Sequence, residues 1–292
     1  MYDAKRALQH GIYNSARANL IANSRCLIEL EEFFADHLEA AIQNDRHNIE
    51  TDYNEASYLF PFWQNYPPEN RGRSPVGDQC PWIEVGEHAL GSKLVSYLGK
   101  FNPRDVGLPT GADQRFVLTS PEISRLTNGL TDKAWIFIDI KSVGPRDDFD
   151  HTVMSHNQIS GDGKWVSLQA GVSNSIMVAK GARTSHPFHC SVPPLYVLSD
   201  GSIVPVLMYA LKPVYSMLSI TTPNVKGQPL SRISLASIPN GILLTENPNY
   251  LNSYPGLLYP GKDDKGKNPL KVRARICFKL LKKIASWRVK HI

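Results

Sequence analysis

No run of eighteen consecutive apolar residues occurs in this 292-residue chain, so no segment is expected to span a bilayer as a helix. Met1 to Arg17 is polar and of mixed charge, without the apolar stretch of a secretory signal. The expectation is a cytoplasmic protein with no membrane partner. Cysteine is scarce: Cys26, Cys80, Cys190 and Cys277 stand far apart, in no metal-ligand spacing, and read as reduced thiols. Internal repeats and low-complexity linkers are also missing. With 42% hydrophobic and 20% charged residues the composition is ordinary for a globular chain. No boundary divides it, so residues 1–292 are read as a single domain.

What is present is unevenly distributed charge. From Lys262 to Ile292 there are eleven Lys or Arg against two Asp, a net +9, so the other 261 residues carry −4 of the chain's total of +5. A basic block on a near-neutral body points to a polyanionic partner. Within it, Lys271-Val-Arg-Ala-Arg-Ile-Cys-Phe-Lys279 alternates in polarity. As a strand over 271–281 it would bury Val272, Ala274, Ile276 and Phe278 and turn Lys271, Arg273, Arg275 and Lys279 outward. Like charges lined up on one face repel. Phosphates or guanine edges would relieve that repulsion, since arginine meets guanine O6 and N7 with two parallel hydrogen bonds.

Upstream, residues 15–50 have helical periodicity through Leu27, Leu30, Phe34, Leu38, Ala41 and Ile42. Phe60 to Pro68 is too rich in aromatics and proline for a regular helix, and Arg71 to Pro75 reads as a polar loop. Trp82 to Leu98 reads as a second helix. Strands are expected at Arg115–Ser120, Ala134–Ile140, Leu195–Leu198, Ile203–Lys212, Leu230–Ile238 and Ile242–Thr245, with a hairpin across Ser199-Asp-Gly201. Helix first and strands later makes a mixed α/β fold.

Ala134–Ile140 is nearly continuous in apolar residues, as a central strand buried on both faces would be, yet it ends in Asp139-Ile-Lys141. Side chains two apart share a face, so Asp139 and Lys141 point the same way. Asp-x-Lys alone has little specificity; Asp3-Ala-Lys5 and Asp263-Asp-Lys265 share it without an apolar strand behind them. Asp113, in the turn before the strand at Arg115, is placed to bring a second carboxylate alongside. Two such carboxylates need a cation to stay ionised, and Mg²⁺, a hard ion, prefers oxygen ligands. Asp113, Asp139 and the Ile140 carbonyl would supply them. Lys141 would hold or help deprotonate a water, and Glu84, on the helix at Trp82, is a third acidic candidate. Asp113 as a turn cap and Asp139–Lys141 as a strand-end ion pair are the structural alternatives.

The pattern Asp113…Asp139-Ile-Lys141 resembles the core of the PD-(D/E)xK nucleases. More narrowly, Asp52-Tyr-Asn-Glu-Ala56, Pro61-Phe-Trp63, Asn65-Tyr-Pro-Pro68, Pro81-Trp-Ile-Glu-Val-Gly-Glu87, Gly107-Leu-Pro-Thr-Gly111, Asp139-Ile-Lys-Ser-Val-Gly-Pro-Arg-Asp147, Pro194-Leu-Tyr196, Leu198-Ser-Asp-Gly201 and Pro260-Gly-Lys-Asp-Asp264 are similar to BglI-type type II restriction endonucleases. The likeness runs from about 50 to 280. It implies a PD-(D/E)xK restriction-endonuclease-like core with a mixed central sheet flanked by helices. It implies a homodimer cleaving both strands of double-stranded DNA at an interrupted palindrome, GCC…GGC, leaving 5′-phosphates and short 3′ overhangs. The cofactor implied is Mg²⁺, with Mn²⁺ as a substitute and Ca²⁺ binding without cleavage. A DNA methyltransferase of the same specificity would protect the host. Asp113, Asp139 and Lys141 match the family's catalytic positions and Glu84 an acidic position near them. Asp147, Lys262, Asp264, Arg273 and Arg275 match base-reading positions. The family's usual proline before the first aspartate is Ala112 here, which weakens that part of the motif.

Other readings are weaker. A structure-directed repair or recombination nuclease, or a DNA-binding protein with a decayed site, shares the core. Gly261 to Lys267 has phosphate-loop spacing but lacks the following Ser or Thr and the preceding strand. His186-Pro-Phe-His189-Cys190 lacks a second ligand pair for zinc, and His151, His156 and Asn157 lack the rest of a histidine–metal nuclease. All are read as ordinary surface residues.

Overall fold

A computed structural model describes the chain except residues 1, 59–81, 108–110, 144–149, 168–170, 173–174, 181–184, 217–229 and 261–272. The segments expected at Phe60–Pro68 and Arg71–Pro75 therefore lie outside the described residues.

Three helices open the chain: α1 (Tyr2–Ala22), α2 (Ser24–Asn44) and α3 (Arg46–Tyr58). The single helix expected over 15–50 is thus broken twice and extends beyond both ends. Asn23 and Asp45 make the breaks, residue types whose short polar side chains compete for backbone hydrogen bonds. Asp45 accepts hydrogen bonds from Asn48 Nδ2 and Tyr97 Oη, both at 2.5 Å. In α2 the expected stripe is buried at Leu27, Leu30, Phe34, Leu38 and Ile42.

α4 (Trp82–Tyr97) follows, as expected from its sequence. Then come β1 (Arg104–Asp105), β2 (Gln114–Thr119), α5 (Pro121–Leu126) and β3 (Lys133–Ile140). Beyond β4 (His151–Met154), short pairs form between β5 (Trp165–Ser167) and β6 (Gly171–Val172), and between β7 (Ser175–Lys180) and β8 (Ser185–Cys190). The hairpin of β9 (Leu195–Val197) and β10 (Ile203–Tyr215) turns at the expected Ser-Asp-Gly. β11 (Leu230–Ile238) leads into α6 (Gly241–Thr245), α7 (Tyr250–Ser253) and β12 (Leu258–Pro260). The chain closes with β13 (Ala274–Cys277), α8 (Phe278–Ile284) and β14 (Val289–His291).

Two expected strands are corrected. Ile242–Thr245 is the helix α6, because Asn240 caps it by accepting from Ile242 N at 2.9 Å. A short apolar run has no periodicity by which to tell the two apart. Among the described residues the strand expected over 271–281 pairs at 274–277 and then turns helical. Phe278 and Leu281, both buried, have helical spacing, and Lys282 and Lys283 occupy the last turn, where cations suit the helix dipole. β14 was not anticipated.

The main sheet runs β1-β2-β3-β10-β11-β14, with β9 also on β10. β3 is antiparallel to β2 and parallel to β10, so the sheet is mixed. Its two faces bury separate cores. Ile136, Ile138 and Ile140 pack with Leu207, Tyr209 and Leu211 under α2, α3 and α4. Trp135 and Phe137 face the other way, into a core shared with α1, Met208, Ala210 and a second sheet. That sheet has the order β12-β13-β4.

Behind the first core, Arg288 reaches Glu31 of α2 at 2.8 Å, both side chains 0% exposed. The other Glu31 oxygen accepts from Asn240 N at 2.6 Å, and the guanidinium lies over Trp287. This charge pair ties the C-terminal segment to α2 and α6. Removing one partner strands the other's charge in the core. Arg288→Ala should destabilise the protein by about 3–5 kcal/mol in urea unfolding; a loss below about 1 kcal/mol would show that water reaches Glu31 and relieves it.

Candidate active site

β3 is apolar on both faces because both are covered. Asp139 continues the Trp135–Phe137 side of the strand and is 1% exposed, a carboxylate in a core position. Burial is the largest influence on it and pushes its pKa up to about 7. Lys141 opposes that shift, while the carboxylates of Asp113 and Glu87 add to it.

As the alternation predicts, Lys141 shares Asp139's face. Its Nζ lies 2.9 Å from Asp139 Oδ1 and 2.8 Å from Oδ2. The lysine backbone N–H donates to Leu211 O at 2.8 Å, extending the parallel ladder past the last residue of β3. Its side chain is 34% exposed, so the ammonium stands between the buried carboxylate and solvent.

Asp113 comes from the antiparallel neighbour. Gln114 is opposite Ile138, so one step back along β2 is one step forward along β3. There Asp113 Oδ2 accepts from Ile140 N at 2.5 Å. Asp113 is exposed where Asp139 is buried. In extended backbone a residue's C=O lies on the same strand edge as its N–H, so the Ile140 carbonyl is on the Asp113 side. The structure therefore brings Asp113, Asp139, Ile140 and Lys141 together, 26 residues of sequence notwithstanding.

Glu84 lies in α4, but its side chain is outside the described residues. The start of α4 passes close to this end of β3: a Cβ on Gly86 would stand 1.7 Å from Ser142 Oγ, so only glycine permits the approach. Glu87, one turn on from Glu84, carries a charge that reaches Asp139.

Gln158 was missed altogether. It is 7% exposed and donates through Nε2 to Asp139 Oδ1 and, at 2.7 Å, to Gly111 O. Nothing in its local sequence marks it, since it lies in a loop; only tertiary contact reveals it. Asn157, read as a surface residue, also docks here, its carbonyl accepting from Gly111 N at 3.0 Å. Its side chain occupies the space a Cβ at Gly111 would need.

Arg275 is half-buried in β13, paired with Tyr259 and Val153, and Arg273 is exposed just before that strand. They sit on the second sheet, not in the carboxylate cluster. Asp147, Lys262 and Asp264 lie outside the described residues, as do Cys80 and the 261–267 segment. Cys26, Cys190 and Cys277 are free thiols, as expected. No described helix is long and apolar enough to cross a membrane.

The donor set fits a hard cation. It consists of two carboxylates and a carbonyl, without a sulfur or imidazole among them. Asp139 Oδ2 is buried and accepts no hydrogen bond among the described residues; it meets the Lys141 ammonium as an ion pair. Among the described residues no three His, Cys, Asp or Glu side chains converge on a metal position. The described oxygen donors at this point are Asp113, Asp139 and the Ile140 backbone.

Comparison with known proteins gives the following. The family described as restriction endonuclease BglI is matched over residues 8–292. The type II restriction enzyme BglI of Bacillus subtilis is 46% identical over 289 residues, 97% of this chain and 96% of the relative. A crystal structure of the restriction endonuclease BglI bound to its DNA recognition sequence superposes with a TM-score of 0.90, 45% identity, and coverage of 100% of this chain and 99% of that one. Tetrameric SfiI bound to cognate DNA gives 0.58 at 14% identity, over 90% of this chain and 83% of that one, a likeness of fold alone.

The buried carboxylate makes stability depend on pH. A folded pKa of about 7 exceeds the unfolded value of about 3.9, so between the two the folded state holds the extra proton. The stability from protonated Asp139 is fully present below the unfolded value and is lost as pH rises to about 7. In EDTA, Asp139→Asn should therefore be more stable than the parent at pH 8, with the gap closing toward pH 4, in urea unfolding at a series of pH values. Parallel pH profiles for the two proteins would show that Asp139 is not desolvated as described.

Proposed function

The chain belongs to the restriction endonuclease BglI family and is a type II restriction endonuclease, a site-specific deoxyribonuclease; on that premise we propose that it hydrolyses double-stranded DNA with Mg²⁺ at the end of β3. The observation that supports this centre best is the meeting of Asp113 and Asp139 beside Lys141, on two adjacent strands of one ladder.

Asp113, Asp139 and the Ile140 carbonyl would hold the cation. When bound, Mg²⁺ supplies charge to neutralise the attacked phosphate and acidifies the attacking water. The chain's own groups do the rest. Asp139, held by Lys141 and Gln158, would offer the cation a carboxylate oxygen at the edge of a dry core. Lys141 donates a hydrogen bond toward the attacking water and offsets negative charge building on the phosphate. The water oxygen bonds to phosphorus, the P–O3′ bond breaks, and the 3′ oxygen leaves with a proton. The products are a 5′-phosphate and a 3′-hydroxyl. Mn²⁺ would substitute; Ca²⁺ would bind without supporting cleavage.

The whole chain acts as one domain, and two copies act as a cytoplasmic homodimer, each cutting one strand of an interrupted palindrome, GCCNNNNNGGC, with short 3′ overhangs. Arg273, exposed ahead of β13, and Arg275 within it would address guanines of the half-site, with Asp147, Lys262 and Asp264 as further reading groups. A methyltransferase of the same specificity would be the functional partner that spares the host.

Digestion of phage DNA with Mg²⁺ followed by sequencing of the fragment ends tests this directly. Discrete bands ending within GCCNNNNNGGC are expected, and a smear or no cutting would contradict it. Lys141→Ala should cut about 10²–10⁴-fold more slowly while still binding the duplex; cutting at the parent rate would remove Lys141 from the chemistry.

A further inference from the structure

Gln158 makes three hydrogen bonds from a nearly dry position. Oε1 accepts from Ser155 N at 2.8 Å, and Nε2 donates to Gly111 O at 2.7 Å and to Asp139 Oδ1. A backbone N–H can only donate and a carbonyl can only accept, so the first two contacts settle which way the amide points. Its NH₂ must then face Asp139. The donor satisfies Oδ1 without adding charge, and Oδ2 is left as the oxygen without a hydrogen bond.

The same amide joins three segments. Gly111 belongs to the turn that delivers Asp113, and Gly111 N donates to Asn157 O, so the 155–158 loop holds both backbone polar groups of that residue. Asp139 ends β3. Ser155 follows β4, the strand paired with β13 at Val153 and Arg275. One side chain thus bonds both the Asp139 carboxylate and the turn that delivers Asp113.

We propose that Gln158 is a positioning residue that holds Asp139 in the orientation required to bind the catalytic cation. It acts through Asp139 and touches neither phosphate nor attacking water. This rests on the divalent-metal reading of the site. Carboxylate ligands are usually themselves held by hydrogen bonds, and loss of such a partner weakens metal binding. A purely structural glutamine would instead cost stability and leave cation affinity unchanged in the molecules that fold.

The test is a Ca²⁺ titration of binding to a duplex carrying GCCNNNNNGGC, read by fluorescence anisotropy without cleavage, for the parent, Gln158→Met and Gln158→Ala. Methionine keeps the volume and alanine removes it, so a packing effect separates the two variants. The expected result is that both bind the duplex in EDTA within about twofold of the parent and need about 10–100-fold more Ca²⁺ for half-saturation. The half-saturating Mg²⁺ for cleavage should rise in step. Unchanged Ca²⁺ dependence in either variant that retains EDTA binding overturns the proposal. Loss of EDTA binding in both variants, together with a lowered melting temperature, also overturns it and makes the residue structural. If the parent itself shows no Ca²⁺ dependence and no Mg²⁺-dependent cutting, the metal-site reading fails rather than the role of Gln158 alone.

Discussion

A carboxylate held at a core position is the constraint from which the rest of the site follows. Asp139 occupies a place that Trp135 and Phe137 define as apolar, and burial alone would neutralise it at physiological pH. Keeping it ionised requires positive charge and hydrogen-bond donors arranged around it. Lys141 and Gln158 fill those roles, and a divalent cation at this point would add to them. The same desolvation that disfavours the charged group in the free protein would strengthen the attraction of a cation placed there, because electrostatic attraction is greater where water is excluded.

Architecture supplies the geometry. Because β2 and β3 are antiparallel neighbours, the residue before one strand meets the residues ending the other, and the two aspartates arrive together from distant sequence. β10, lying parallel on the other side of β3, keeps Lys141 in register beyond the strand's end. The second sheet is linked to this point by the 155–158 loop, so the strand carrying Arg275 and the carboxylate cluster share one hydrogen-bonded junction. The buried Glu31–Arg288 pair closes the far side, fastening the end of the chain to α2.

Much of this was legible in the sequence where hydrophobic periodicity was strong. β3, with its unbroken apolar run and terminal Asp-Ile-Lys, is readable within a residue, and so are α4, β2, β9 and β11, while β10 runs three residues past the expected Lys212 to Tyr215. Readability failed where tertiary contacts decide the outcome. The breaks at Asn23 and Asp45 carry no glycine or proline. Asn240 makes a helix of four apolar or β-branched residues that equally suit a strand. In the tail, alternation through Ile276 gives way to the helical spacing of Phe278 and Leu281 with no punctuation between them. Gln158 reaches Asp139 through long-range contact alone, which no local pattern encodes.

The proposed chemistry centres on a divalent cation held between the carboxylates of Asp113 and Asp139. Crystals of the protein with a duplex and Mn²⁺, measured at the manganese absorption edge, test it most directly. The account predicts an anomalous difference peak about 2–2.5 Å from oxygens of both carboxylates and from the Ile140 carbonyl. A peak coordinated by neither aspartate, in a complex that goes on to cut its DNA, would contradict it.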